Sequence, residues 1–358
     1  MGRLLIKYLG GQFLIRAVFI TIGLSGILSL FDLLANAGDV TANRSDIFQP
    51  LLSYMMLRYP EILNIVLPLS ALIACLTIIN QKVANMEMIG LRAAGISVYQ
   101  ILLSFIAGGV VLACLQFFVI TSFMPDTSYR LHLWSETDYI GAPPDRRMKD
   151  QIPNWIASGD TIIRLEAASA DGTVLTGLSV ITRKDSGVMQ DFFTAGKAIY
   201  RDGAWYLEQV AYPNLPQRDL STAKIVLNLP IKPGFFAKTV DTPSALTLSE
   251  LLTLAQDDVV IENPPYVYRV WIYQKFAAPA ALLVMILLCM PAALQLARKD
   301  SLMRNSFAVI AAGFCFLILM RLVATLGESG YVPPLLATFS PHLIFTFLVI
   351  WILVLREE

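Results

Sequence analysis

Six unbroken apolar stretches, at residues 13–35, 62–80, 98–121, 276–297, 305–326 and 332–355, decide what solvent this chain can live in. Each is long enough to cross a bilayer core, which takes about 20 apolar residues as a helix. Four of them hold no charged residue; the exceptions are Arg16 and Asp32 in the first and Arg321 in the fifth. In hydrocarbon every backbone N–H and C=O must be satisfied inside the segment, so helices are the expected form. Pro68, Pro279, Pro291 and Pro341 should kink or cap these helices rather than abolish them.

Composition excludes the other broad classes. Only 15% of residues are charged, where a soluble domain carries roughly 25%. Disorder needs the opposite balance. A formal net charge of zero argues against a nucleic-acid binder. Cys75, Cys114, Cys289 and Cys315 all lie in apolar runs and none falls between 122 and 271, which excludes a disulfide-stapled exterior domain. His132 and His342 stand far apart without Cys or carboxylate spacing, so neither a metal site nor any other cofactor is expected.

The N-terminus imitates a signal peptide, with Arg3 and Lys7 ahead of the apolar run and Ala35-Asn36-Ala37 after it. The run is 23 residues long, well beyond an h-region of about 7–15, and reads as an uncleaved first helix. Short connections on one side carry eight Lys and Arg (Arg3, Lys7, Lys82, Arg92, Arg298, Lys299, Arg304, Arg356). The other side has four: Arg44, Arg58, Arg269 and Lys275. This bias favours cytoplasmic termini and places residues 122–271 outside.

Residues 122–271 hold 14 basic and 18 acidic residues, more than half of the chain's charges. Short β-prone runs at 161–168, 174–183, 191–200, 204–212 and 221–229 alternate with turn signals. Asp202-Gly203 between two alternating runs is a hairpin signature, because it supplies positive φ at both central positions; Asp171-Gly172 and Ser186-Gly187 mark further turns. The expected fold class is therefore an α-helical membrane protein with six transmembrane helices (3+3) and an inserted periplasmic antiparallel β jelly-roll-like domain. The expected divisions are 1–121, with a short cytoplasmic helix at 82–97, then 122–271, then 272–358. Scattered carboxylates and a single His, with no G-x-S-x-G elbow, give the exterior domain no catalytic constellation.

The segment Lys82–Ser97 (KVANMEMIGLRAAGIS) is too polar to span and too patterned for a plain loop. At about 100° per residue, Val83, Met86, Ile89, Gly90, Leu91, Ala93 and Ala94 share one arc of a short amphipathic helix. Glu87 falls inside that arc. A carboxylate there is costly against lipid unless it meets a cation, and pairing with Lys82 or Arg92 is poorly placed on such a helix. A groove of a cytoplasmic partner bearing an Arg or Lys would satisfy it.

Two stretches, LPLSALIACLTIINQKVANMEMIGLRAAGIS at 67–97 and GYVPPLLATFSP at 330–341, carry a resemblance that the order of spans extends over the whole chain. The chain resembles the LptF/LptG permease family, the membrane subunits of the lipopolysaccharide export ABC transporter, and its second stretch is more like the G-type branch. The resemblance implies an LptF-type permease as heterodimer partner, an LptB-type ATPase dimer, an LptC-type single-span protein and lipopolysaccharide as cargo. It implies an inner-membrane location. It also matches Glu87 to the acidic residue of the family's coupling helix, with Met86, Gly90, Leu91, Arg92 and Ala94 around it. No G-x-x-x-x-G-K-[ST] phosphate loop occurs, so ATP hydrolysis would belong to a partner and this chain would be non-catalytic. One departure is SLFDLLANAG at the outer end of the first span, which has no Lys or Arg where G-type members often carry them.

An ionisable residue inside a span is a functional hypothesis by default. Arg16, near the cytoplasmic end, can snorkel. Asp32 and Arg321, both near outer ends, are expected to border a lipid groove or to pair with each other or a neighbouring subunit. Arg44, Phe31, Phe316, Leu319 and Met320 are the further groove candidates, although the last four also suit ordinary packing. Two other functions remain open: an ABC membrane subunit that transmits motion without carrying lipid, and a sensor whose β-domain binds a periplasmic ligand.

Overall fold

The computed structural model describes residues 5–42, 46–144, 155–158, 161–169, 173–183, 189–201, 204–212, 225–227, 242–255, 263–293 and 299–357. Its helices are α1 (Gly11–Thr41), α2 (Phe48–Ala84), α3 (Glu87–Ala93), α4 (Val98–Phe118), α5 (Met124–Glu136), α6 (Leu248–Leu254), α7 (Pro265–Leu288), α8 (Met290–Ala293), α9 (Lys299–Glu328) and α10 (Pro334–Glu357). A π-helical turn, Ile6–Gly10, leads into α1, and another, Val119–Phe123, joins α4 to α5 without a break. The chain divides into two compact units, 1–143 with 270–358, and 144–269.

The first unit contains six helices long and apolar enough to cross a membrane, as the sequence leads one to expect. Pro68, Pro279 and Pro341 lie inside α2, α7 and α10, and Pro60 is a further proline within α2. Pro291 stands in α8, just beyond the point at Cys289 where α7 ends. The main core gathers Leu9 and Phe13 from the start of the chain, Leu72, Cys75 and Ile79 from α2, Ile101 and Phe105 from α4, and Leu282, Met285 and Cys289 from the α7 region. Phe13 and Phe105 meet edge to face, with ring centroids 6.0 Å apart.

Close backbone approach needs small residues where no hydrophobic effect drives the helices together. A Cβ on Gly108 would stand 2.8 Å from Phe13 Cδ1 and 3.2 Å from the Gly10 carbonyl, while one on Gly10 would lie 3.0 Å from the Ser104 carbonyl. These two glycines let the leading turn seat directly on α4.

On the N-terminal side, the sheet-bearing unit begins later than residue 122. The third span runs on as one helix from Tyr99 to Glu136. Its last segment, α5, buries Met124, Ser128, Tyr129, Leu131 and Trp134 at helical spacing. Trp134 and Leu131 pack with Val40, Tyr54 and Leu57 in a second small core where α1, α2 and α5 meet. The polar composition of α5 hides a helix whose 3.6-residue period is intact.

The second unit carries an antiparallel sheet. Its strands are β1 (Trp155–Ser158), β2 (Thr161–Arg164), β3 (Ala167–Ala168), β4 (Val174–Arg183), β5 (Met189–Arg201), β6 (Ala204–Ala211) and β7 (Ile225–Leu227). The order across the sheet is β1-β2-β4-β5-β6-β7, with β3 on β4, so the described strands follow one another as a meander. Arg201 pairs with Ala204, as a two-residue connection at 202–203 requires. The signals at Asp171-Gly172, Ser186-Gly187 and Asp202-Gly203 themselves lie outside the described residues.

A crease crosses the three longest strands. Along β4 the buried positions run Leu175, then Leu178 and Val180; along β5 Phe193 and Ala195, then Ala198; along β6 Trp205 and Leu207, then Val210. Each strand changes its inward phase at one cross-strand row, Gly177, Gly196 and Gln209, although the register on either side is continuous. Gly177 has φ +64°, and a Cβ there would run into Glu166. Glycine is therefore required at that point of the crease. Helix α6 follows the sheet in sequence and begins with a capping box, Thr247 with Glu250.

Replacing Gly108 with Leu should wedge the leading turn off α4 and cost about 1–3 kcal/mol. Gly23→Leu, at a position with nothing within 4 Å, should stay within about 0.5 kcal/mol of the parent. Thermal unfolding of both variants in detergent checks the contrast.

Candidate functional site

The connection from α2 to α4 is not one amphipathic helix over 82–97. Lys82 and Val83 belong to the end of α2, and Met86 takes a left-handed conformation (φ 59°) that breaks the helix. Helix α3 then runs only from Glu87 to Ala93 before Gly95 (φ 78°) turns the chain into α4, which Ser97 and Gln100 cap. A single helical wheel drawn across that break misplaces every residue on its far side.

The break brings Lys82 and Glu87 together. The Lys82 Nζ donates to Glu87 Oε2 in an ion pair, and Asn85 Nδ2 donates to Glu87 Oε1 at 3.3 Å. The Lys82 side chain is only 7% exposed whereas that of Glu87 is 41% exposed, so the carboxylate is the half of the pair that a partner can still reach. Lys82 Nζ also donates to the Tyr8 hydroxyl at 2.9 Å and lies 4.8 Å from the centre of the Tyr8 ring. About two turns beyond Tyr8, Arg16 of α1 donates to the side chain of Gln81, the residue before Lys82 on α2. Lys82 and Gln81 thus bind the chain's first helical segment to α2, and Lys82 binds α3 to both.

The hydrogen bond from Lys82, then that from Asn85, hold the Glu87 carboxyl below its ordinary value. With the folded value depressed, the bridge is complete at neutral pH and is lost as pH falls through the lowered value.

Around Glu87 the short helix has two faces. Met88 is buried in the main core, and Leu91 packs partly against it. Met86 and Ile89 are exposed, at 67% and 44%, and Gly90, Ala93 and Ala94 are exposed beside them. Arg92 is half-buried on α3.

The intramembrane charges near the other end of the helices sort differently from the sequence expectation. Asp32 is not paired with Arg321. Its Oδ2 accepts from the Tyr54 hydroxyl at 2.9 Å and lies 3.5 Å from Arg58 Nε. Arg58 Nη1 also reaches Glu61 Oε2 at 2.5 Å, so one guanidinium bridges carboxylates of α1 and α2. Arg58 had been counted only as an orientation signal; lying 26 residues from Asp32 in sequence, it shows no pattern that links the two. Tyr54 packs edge to face on Tyr139, which packs on Trp134, below the bridge. Burial, and then the negative Asp39, push the Tyr139 hydroxyl above its usual value.

Arg321 on α9 is exposed, and its side chain has no hydrogen-bond or ion-pair partner among the described residues. Phe31 is exposed at 66%, but Phe316 is fully buried, edge to face with His342 and Phe345. Phe316 therefore leaves the groove candidates and joins the core that α9 and α10 share. Leu319 and Met320 pack partly against the same core. Arg44 lies outside the described residues.

This sequence also matches known proteins over nearly its full length. The profile of the family described as lipopolysaccharide export system permease LptF/LptG covers residues 7–355. The chain belongs to the LptF/LptG family. Among curated relatives it is similar to the lipopolysaccharide export system permease protein LptG of Escherichia coli strain K12 and to that of E. coli O6:H1. Each is 20% identical over 350 residues, 96% of this chain and 95% of the relative. Family membership makes it a permease-type membrane protein of lipopolysaccharide export.

At the Asp32–Arg58 bridge, Arg58→Met should cost on the order of 1 kcal/mol, since all three side chains keep some contact with solvent. Adding Asp32→Asn to that variant should cost less than Asp32→Asn alone, because the shared partner is already gone. A double-mutant cycle by thermal unfolding measures the difference.

Proposed function

We propose that this chain is the G-type permease subunit of an ATP-driven exporter that draws lipopolysaccharide out of the bacterial inner membrane and hands it to a periplasmic bridge. Both termini then lie in the cytoplasm, with the sheet-bearing unit in the periplasm, the orientation that the Lys and Arg distribution favours. An F-type permease completes the membrane pair. A dimer of LptB-type ATPase supplies the energy, and an LptC-type single-span protein with its own exterior β-domain stands beside them.

The observation that carries this reading is the ridge of α3. Ile89, Gly90 and Ala93 are exposed on a seven-residue helix held between two spans, with the exposed Met86 just before it and the half-exposed Glu87 at its start. An apolar ridge with one anchored carboxylate suits a protein groove that ends in a cation. Movement of that groove would then be delivered to α1 and α2 through Lys82. At the opposite end of the helices, Arg321 is the candidate contact for an anionic headgroup. An intramembrane cation needs a counter-charge, and Asp32 is committed to Arg58. Phe31 supplies exposed apolar surface for acyl chains on α1. Closure of the groove between α1 of one subunit and α9 of the other lowers its affinity for those chains, the differential binding that directed transport requires.

Gly90 offers a clean test, because a Cβ added there meets nothing of this chain within 4 Å. Gly90→Trp should leave the permease folded and membrane-inserted yet reduce co-purifying ATPase at least tenfold, while Gly90→Ala should retain it. Full ATPase recovery with Trp would remove α3 as the docking element. In the same preparations Arg321→Gln should lower bound lipopolysaccharide several-fold without loss of ATPase. Unchanged lipid would take Arg321 out of the groove, and ATPase without lipid in the parent would favour pure mechanical transmission.

A further inference from the structure

Glu87 already has a cation within this chain, the ammonium of Lys82. A buried ammonium is tolerated only when it is neutralised and hydrogen-bonded. Lys82 meets that demand with two groups from different segments, the Glu87 carboxylate and the Tyr8 hydroxyl and ring. Nothing in a docking role for Glu87 requires this arrangement. A docking carboxylate on an exposed turn could reach a partner freely, at the cost of freezing its own rotamers on contact. Here one carboxylate oxygen is held by Lys82 and the other by Asn85, across a turn fixed by the left-handed Met86. The side chain is thereby oriented before any partner arrives, with part of its surface left open.

We propose that Lys82 is a positioning residue for coupling: it orients the Glu87 carboxylate toward the cytoplasmic ATPase and, through Tyr8, fastens the docked segment to the first span as well as the second. This inference rests on the reading of α3 as the docking element. It adds that the ATPase is bound by Glu87 but transmits force through Lys82, two roles that substitution can separate. It also means that charge reversal at Glu87 is an ambiguous probe, since it would set two cations against each other inside the permease before any docking took place.

The titratable groups that face Glu87 among the described residues are Lys82 from α2 and Tyr8 from the leading turn, with neutral Asn85 beside them. Lys82 and Tyr8 keep their protons through the mildly acidic range, so within this cluster Glu87 is the group that acid discharges. Without the ammonium, the acid limb of coupling should move toward higher pH.

The experiment uses the whole transporter, co-purified and reconstituted in proteoliposomes containing lipopolysaccharide. Bound ATPase, lipopolysaccharide released per ATP hydrolysed, and the pH dependence of release are measured together. Lys82→Met should keep at least half of the bound ATPase, lower release per ATP about tenfold, and move the acid limb to higher pH. Lys82→Arg should restore most of the release and return the limb toward that of the parent. Wild-type release per ATP with an unmoved limb in Lys82→Met would overturn the proposal while leaving the docking reading intact. Failure of the parent itself to bind the ATPase would sink both. Should Lys82→Met not insert, Tyr8→Phe takes its place: it keeps the ring, removes the hydroxyl and should lower release per ATP severalfold with docking unchanged. Unaltered release in that variant counts against the link to the first span.

Discussion

The arrangement of this permease turns on the buried ammonium of Lys82. Lys82 is almost wholly withdrawn from solvent, and its charge is tolerable only because Glu87 and Tyr8 converge on it from segments on either side of α2. That requirement fixes the break at Met86, because a continuous helix would carry Glu87 away from Lys82. It fixes the start of α3, and therefore which of its residues face inward with Met88 and which face outward with Ile89. It also holds the leading turn close to the end of α2, in the region where Gly10 and Gly108 already bring that turn against α4.

The outer end of the same helices solves a similar problem in a different way. Arg58 joins α1 to α2 through two carboxylates, with Tyr54 as a fourth member, over an aromatic cluster contributed by α5. The first two spans are thus tied by charged groups near both ends and by apolar packing between them. Such a pair is built to move as a body. The fifth span differs: it packs on α10 through Phe316 and His342 and leaves Arg321 on the outer surface. Asp32, Arg58 and Glu61 pair where α1 and α2 meet, whereas Arg321 has no side-chain partner among the described residues.

Much of this was legible in the residues. Apolar length alone located all six spans, since the bilayer imposes one scale on every crossing helix. The five β-prone runs take in β2 to β7, whereas β1 lies ahead of the first of them. The extension of the third span into α5 was missed because polarity was weighed above period: Ser128, Leu131 and Trp134 keep one face inward through a segment rich in polar side chains. The crease in the sheet escaped because only the row of Gly177, Gly196 and Gln209, brought together from three strands, reveals it. For the site, the residues mark Glu87 as a carboxylate in need of a cation, and within this chain Lys82 supplies one. A left-handed residue other than glycine leaves almost no trace in sequence, and Met86 is one. The same limit hid the pairing of Asp32 with Arg58, which depends on how two helices face each other.

If Lys82 fastens α3 to both spans as proposed, α1 and α2 move together when a docked ATPase drives α3. Arg16 and Gln81 touch across these helices close to Lys82, and replacing both with cysteine, in a background with Cys114 and Cys315 changed to serine, allows the two spans to be locked by a short bis-thiol linker. The decisive measurement is ATP-driven lipopolysaccharide release from reconstituted transporter before and after locking. If the spans form one body, release continues at close to its unlocked rate. If locking stops release while ATP is still hydrolysed, the two helices must slide past each other during transport, and the account of Lys82 as their common fastening is wrong.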